Sequence, residues 1–575
     1  MTLRFDFNHK PLRFERPVRI IQTSDIAHVI DKLAEIERAT EQGFYAAGYL
    51  SYEAASAFQP YYQTPPQGDM PLLWFGIYDA VSQMNATDEA TPPPVSLEQW
   101  QPQTSVSQYQ KAIERIKSEI AAGNTYQANY TIRLEADSHH GSAQSSYDFY
   151  RYLLSVQQAN YAAYLDTGRF KILSASPELF FHWHQGILTA KPMKGTAERG
   201  TDSANDLMRK ARLLASEKNQ AENVMIVDLL RNDLSQVAKP GSVRVTELFN
   251  AEQYPTIWQL TSTITAETRA QTTVTDIFRA LFPCGSITGA PKASTMKLIA
   301  ELEPQAREVY CGAIGYITPG KEALFNVPIR SVIIDSQKKR ARYGVGGGIT
   351  WDSTAEDEYQ EVLDKAAILR RVNLPTRLLE SLLLQDGAYH LADLHLNRLS
   401  ASARYFNFAF DRNQTVNQLK LFAQKKPEQS WKVRLLLSKN GETTLESEAI
   451  TPLTQPLAAS WANEPVNSDN RLLYHKTTLR DLYPKVTIDH ERLMYNQRNE
   501  ITEFVNGNAV LLIDGQWLTP ALTCGLLAGT ERQALLTAGK IAEAVLSREA
   551  LNRAEKIGFI NSVRGWREVV WVGEK

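Results

Sequence analysis

The 575-residue chain is poor in cysteine, in net charge and in long apolar runs. Its three cysteines, Cys284, Cys311 and Cys524, are too few for a disulfide framework, and none stands in a metal-ligand spacing. They read as small buried or loop thiols in a reducing compartment. A net charge of −2 gives no electrostatic reason to expect nucleic acid or an anionic membrane as partner. No run approaches the roughly 18 apolar residues of a membrane span. The opening MTLRFDFNHKPLRFERP has no apolar signal core, so a cytoplasmic location is expected. Internal repeats and low-complexity tracts are also missing.

What is present is an ordinary globular composition, 43% hydrophobic and 22% charged. The chain is too long for one core. Proline clusters at 64–66 (TPP) and 91–94 (TPPP) read as surface loops. The clearest seam is RRVNLPTR, 370–377: a helical stretch over 356–371 ends there, and Pro375 cannot continue it. The expected boundary is near 375, dividing the chain into 1–375 and 376–575. Both halves mix β-rich runs (FKILSA, ELFFHW, AVLLIDG) with amphipathic helices, which predicts an α/β or α+β class for each.

In ILSASPELFFHWHQGILTAKPMKGT, residues 172–196, two apolar runs flank Gln185-Gly186, a hairpin signal. Paired positions then sum to about 371, setting Glu178 nearly opposite Lys194. A carboxyl beside an amine suits acid chemistry next to a nucleophile; it is equally a cross-strand ion pair. EKNQAENVMIVDLLRND, 217–233, reads as a largely buried helix from its apolar residues at 224, 226, 227, 229 and 230, with Glu222 near the polar start. GVGGGITWDSTAEDEYQEVLDKA, 344–366, reads as a glycine-rich turn entering a helix whose Glu358, Glu361 and Lys365 share one face. Carboxylates on two helices could hold a hard cation such as Mg2+, or form a solvated charged face. The loop FPCGSITGAPK, 282–292, precedes a helix expected from near Ala293 and could aim backbone N–H groups at an anion.

These segments, with AAGNTYQANY, SASPELF, YCGAIGY and the IRSV around Arg330, resemble in order and spacing the chorismate-utilising enzymes, over most of 105–370. The resemblance implies a large α/β sandwich around a central cleft. It implies Mg2+ on Glu222 and Glu361, supported by Glu358, and Glu178 as the acid that helps the C4 hydroxyl leave. Tyr310 and Arg330 would grip the enolpyruvyl carboxylate, with Gly289, Thr288, Gln127 and Lys365 completing the substrate site. Members that use water as nucleophile carry a lysine base where this chain has Gln127. Lys194 stands where anthranilate synthases typically have alanine, and in the lysine-bearing branch this residue is thought to attack ring carbon 2 before ammonia enters at carbon 4. The chain departs from many relatives at Asn219, often glutamate, and Gln259, often histidine. No cysteine sits in the Gly-x-Cys-x-Gly elbow of a glutaminase, so ammonia would come from a separate subunit or from solution.

The second half has Arg398 on the expected helix 392–406, Lys476 in LLYHKTTLRDLY, Glu503 in NEITEFVNG, and Gly529-Thr530 opening a helix. Singly these read as a surface arginine, an exposed lysine and a helix cap. As an ordered set they resemble the fold-type IV pyridoxal-phosphate enzymes. Lys476 would then carry the cofactor, Glu503 would pair its pyridinium nitrogen, and Arg398, Gly529 and Thr530 would hold its phosphate. The joint expectation is conversion of chorismate and ammonia to 4-amino-4-deoxychorismate, then pyruvate release to p-aminobenzoate. The alternative is an anthranilate-forming half fused to a class IV aminotransferase. A homodimer through the second half is expected by analogy.

Overall fold

The computed structural model describes residues 1–573 except 85–98, 371–373, 427, 452–455 and 488. The proline cluster at 91–94 and the middle of the 370–377 seam lie outside the described residues. The chain forms two compact units: Met1–Glu198 with Lys210–Val372, and Arg199–Arg209 with Asn373–Lys575.

In the first unit, the described residues form two ten-stranded antiparallel sheets. Strands buried on both faces read as continuous apolar runs, and Tyr161–Asp166 shows why. Tyr161, Ala163 and Leu165 enter a core between the two sheets together with Phe5, Tyr49, Trp74 and Ile314. Ala162 and Tyr164 point the other way, onto a core shared with Phe149, Leu153 and Val362 of flanking helices. The second sheet likewise packs Phe181 and Trp183 against Ile226, Leu230 and Phe278 of helices on its outer side. The result is helix, sheet, sheet, helix, a mixed α/β sandwich.

Leu179–His184 and Ile187–Lys191 form a hairpin whose pairs His184 with Ile187 through His182 with Thr189 keep the sum of 371. A bulge then shifts the register to Leu179 opposite Lys191. Glu217–Ser235 is helical, capped by Ser216, with Ile226, Val227, Leu230 and Leu234 buried. Val224 is 38% exposed, so the buried stripe is narrower than the apolar pattern suggested. Helix 356–371 is shorter than expected: Ala355–Ala366 followed by a 3-10 turn over Ala367–Leu369. The segment Gly344–Gly348 is not a turn but part of the strand Arg340–Ile349, paired along its length with Gln127–Asp137. Its glycines are there for space: a Cβ at Gly344 would enter the Tyr310 ring, and one at Gly348 would strike Lys194 Nζ and Gln127 Nε2.

In the second unit, four strands carry the helices Ala392–Phe406 and Arg412–Ala423 on a leucine-rich core. A further eight-stranded sheet closes on itself, because Ile501–Phe504 pairs with both His490–Tyr495 and Gly507–Ile513. The segment Arg199–Arg209 is built into this unit. Arg199 grips Asp206 through two nitrogens at 2.6 and 2.7 Å, and Tyr405 Oη donates to Gly200 O at 2.6 Å. No helix among the described residues is long and apolar enough to cross a membrane. All three cysteines are free and buried.

Candidate active sites in the two units

A cavity of about 350 Å³ opens in the first unit, lined by Glu178, Lys194, Glu222, Tyr310, Arg330, Glu358, Glu361 and Lys365. Residues separated by up to 187 positions thus meet at one place. The Met193–Glu198 strand delivers Lys194, and its backbone is fixed from two sides. Asn223 Nδ2 donates to Lys194 O at 3.3 Å and Gln259 Nε2 to Gly195 O at 2.9 Å. Asn223 is itself set by Ser262, whose hydroxyl donates to Oδ1 at 2.6 Å. Gln259 therefore has a structural task here.

Glu178 lies at the buried start of the Leu179–His184 strand, where Ser286 Oγ donates to Oε1 at 2.6 Å. Burial pushes its carboxyl up to about 7, with Ser286 and Lys194 opposing the shift. Burial pushes the Lys194 ammonium down from the ordinary lysine range, and Glu222 pulls it partly back. Among the described residues no carboxylate comes within ion-pair distance of Lys194. An amine that loses its proton more readily is a better nucleophile at neutral pH.

Across the cavity, the helix Ala355–Ala366 presents Glu358 and Glu361 over the glycine strand. A Cβ at Gly347 would lie 3.1 Å from Glu358 Oε2 and 3.9 Å from Glu361 Oε1. Burial raises Glu358. It would raise Glu361 too, but Lys365, at 2.6 Å, outweighs it and holds that carboxyl below its usual range. With Glu222, three carboxylates from two helices line one cavity; their oxygen chemistry suits a hard divalent cation, although their ligand atoms do not all lie within 4.8 Å of one another.

The end that bears Arg330 is equally distinct. Arg330 forms no ion pair among the described residues, and burial lowers the pKa of its guanidinium. Its φ of +51° lies in the left-handed region, which costs a non-glycine residue roughly 1 kcal/mol. Tyr310 lines the same cavity, with the Arg133 guanidinium over its ring. Gln127 is fully buried, and neither its Nε2 nor its Oε1 has a partner. The Gly348 geometry puts its amide next to Lys194. Gln127, Thr288 and Gly289 are not among the residues that line the cavity: the Thr288 hydroxyl donates to Cys284 O at 3.1 Å, and Gly289 packs against the Gln127 backbone. Ser286 and Lys218 line it without having been singled out from sequence. Ser286 carried a faint signal, lying in the Gly-Ser-x-Thr-Gly loop read only as an anion cradle.

The second unit gathers its own polar cluster. The helix Ala392–Phe406 supplies Arg398, which donates to Glu380 at 2.9 and 2.6 Å and to Ala528 O at 2.9 Å. Burial alone would raise Glu380, but Arg398 and His395 bring it down to about 2. His395 also meets the Thr530 hydroxyl at 3.2 Å, where the helix Thr530–Thr537 begins after Gly529. Lys476 is driven down to about 8 by burial and by Arg398, against the pull of Glu380 and Glu503. Glu503, on the Ile501–Phe504 strand, accepts from Tyr483 at 3.2 Å and Asn508 at 3.3 Å, and burial lifts it to about 8. A lysine, a carboxyl and an arginine at a helix start, enclosed together, match the demands of a cofactor with an aldehyde, a ring nitrogen and a phosphate.

The first unit is thus a two-sheet sandwich with a cavity lined by carboxyl, amine and guanidinium groups. The chain belongs to the chorismate binding enzyme family, whose model matches residues 10–371. The amino-transferase class IV model matches residues 377–572. The chain is 39% identical over 266 residues to aminodeoxychorismate synthase component 1 of Klebsiella aerogenes, covering 46% of this chain and 58% of that protein. The corresponding Bacillus subtilis protein is 31% identical over 363 residues, covering 57% of this chain and 76% of that protein. The chain thus spans little more than half the length of the first of these relatives. Among solved structures, anthranilate synthase component I of Streptococcus pneumoniae aligns with a TM-score of 0.55 at 25% identity, over 64% of this chain and 92% of that one.

Proposed function

We propose that the chain makes p-aminobenzoate in two steps, amination of chorismate in the first unit and pyruvate release in the second, with the functional seam near residue 375. The observation that carries the first step is Lys194, poised between Glu178 and three carboxylates in one cavity. Mg2+, when bound by Glu222 and Glu361 with Glu358 behind them, neutralises the ring carboxylate of the substrate. Arg330 and Tyr310 hold the enolpyruvyl carboxylate, Arg330 by paired N–H donors. Glu178, protonated in part at neutral pH, gives its proton to the departing C4 hydroxyl, which leaves as water. The Lys194 amine bonds to ring carbon 2 as both ring double bonds shift toward carbon 4. Ammonia then bonds to carbon 4, both double bonds return, and Lys194 is released. One hard substitution becomes two easier ones. Lys194 is the residue that favours this reading over anthranilate formation.

In the second unit, pyridoxal phosphate, when bound, supplies an electron sink for the carbon that loses its proton. Lys476 would carry it, Glu503 would face its ring nitrogen, and Arg398 with the Gly529 and Thr530 N–H groups would face its phosphate. A Lys476 near 8 retains enough neutral amine to take the ring C4 proton. Aromatisation accompanies loss of pyruvate and drives the step. A separate glutaminase chain would deliver ammonia, and buried free thiols fit a cytoplasmic setting. A homodimer through the second unit completes the reading. Incubation with chorismate, ammonium, Mg2+ and cofactor should yield p-aminobenzoate and pyruvate in equal amounts. Anthranilate as the aromatic product would refute the reading.

A further inference from the structure

One cluster of metal-ligating side chains stands outside both sites. The strand Leu179–His184 places His182 and His184 two residues apart, so both imidazoles project from the same face. Their rings stack at 5.8 Å with planes 21° apart. Glu322, in the turn that leads into the neighbouring strand Ala323–Asn326, reaches over both. Its Oε1 is 2.9 Å from His182 Nε2, and its Oε2 is 3.9 Å from His184 Nδ1. One donor atom from each residue falls within a mutual separation of 4.8 Å.

The backbone holds this arrangement. Trp183 pairs with Ala323 and His182 with Leu324, which carries Glu322 to the position beside His184. Thr318 N donates to Glu322 O at 2.8 Å, closing the turn below the carboxylate. Trp183, between the two histidines, is anchored inward by its indole N–H on Thr268 Oγ1 at 3.2 Å. The histidines are thus fixed at their backbone while their rings stay half-exposed and open to solvent.

We infer that His182, His184 and Glu322 form a binding site for a zinc-class divalent cation, separate from the carboxylate set of the cavity. Two imidazoles and a carboxylate are the donors that borderline ions such as Zn2+ prefer, whereas Mg2+ takes oxygen ligands. Zinc–nitrogen bonds of about 2.0–2.1 Å require the three donors to close by a small side-chain rotation, with no change in the strands. The His182 ring would coordinate through Nε2 and carry its proton on Nδ1. Three protein ligands leave a position for water or an outside donor. The bound ion would clamp the two strands together at the opposite end of the strand that begins beside Glu178.

The test is calorimetric titration of Zn2+ into metal-stripped, full-length protein in excess Mg2+, which occupies the cavity carboxylates. Wild type should take up one equivalent that His184→Ala and Glu322→Gln lose. Removing a supporting residue around a metal typically costs 10–100-fold in affinity, so loss of a direct ligand should weaken this equivalent by more than about 100-fold. Co2+ should give visible d–d bands in wild type that are absent in His184→Ala. Turnover in Mg2+ should be the same in all three proteins, because neither residue lines the cavity. Identical Zn2+ isotherms for wild type and both variants would overturn the site, as would a wild type that binds no Zn2+ in excess Mg2+.

Discussion

Lys194 and Lys476 are both pushed toward the neutral amine by burial, yet the neighbour of largest influence acts in opposite directions at the two. Around Lys194 it is Glu222, which favours the charged form, followed by Lys365, which favours the neutral one, and then by Glu361 and Glu358. Around Lys476 it is Arg398, a cation that favours the neutral form further, followed by Glu380. The first surrounding is an acid-lined cavity, proposed to take a substrate with its counter-ion. The second is a closed charge network in which Arg398 is already tied to Glu380. Desolvation makes either lysine reactive, and the neighbours decide what each can receive.

The comparison breaks most visibly if one lysine is removed at a time. Lys194→Ala should lower amination of chorismate by on the order of 10³-fold while leaving pyruvate release from supplied 4-amino-4-deoxychorismate intact. Separate assays of the two half-reactions check this, and a normal amination rate would take Lys194 out of the mechanism. Glu361→Gln should cut Mg2+-dependent amination by roughly 10²-fold, since it removes a proposed ligand and the partner of Lys365. A chelator should stop the first half-reaction and spare the second. Full amination in excess chelator would contradict the assignment.

Glu178 sharpens the contrast through pH. A carboxyl raised to about 7 is protonated below that pH and loses its proton above it. If it is the acid, amination should therefore fall as pH rises through about 7. Glu178→Gln should slow the step by roughly 10²-fold and remove that limb of the profile. A limb unchanged in the variant would assign it to another group. The smallest effect concerns the helix that bears Glu222. Leu230→Ala should destabilise the first unit by about 2–5 kcal/mol, and Val224→Ala by no more than about 0.5 kcal/mol. Denaturant melts that lose equal stability would put Val224 inside the core.

Much of this was legible in the residues themselves. Helix Ala392–Phe406 and the Gln185-Gly186 hairpin follow from periodicity and turn chemistry, which are local. The strand role of Gly344–Gly348 was not, because glycine signals a turn locally, while here its lack of a Cβ makes room for Tyr310, Lys194 and Gln127, all distant in sequence. Ser286 escaped for the same reason: its partner Glu178 is 108 positions away. The Arg199–Arg209 segment joins the second unit although it precedes the seam by some 170 residues, and no composition shift marks it. The meeting of His182 and His184 with Glu322 was not legible either, since His182 and Glu322 are 140 positions apart.

The central claim is that two lysines in one chain run two successive reactions. It is tested most directly by identifying what accumulates when Lys476→Ala is supplied with chorismate, ammonium, Mg2+ and cofactor. The account predicts 4-amino-4-deoxychorismate, without pyruvate, and its conversion to p-aminobenzoate once a separate lyase is added. Accumulation of anthranilate, or undiminished p-aminobenzoate from the variant alone, would contradict it.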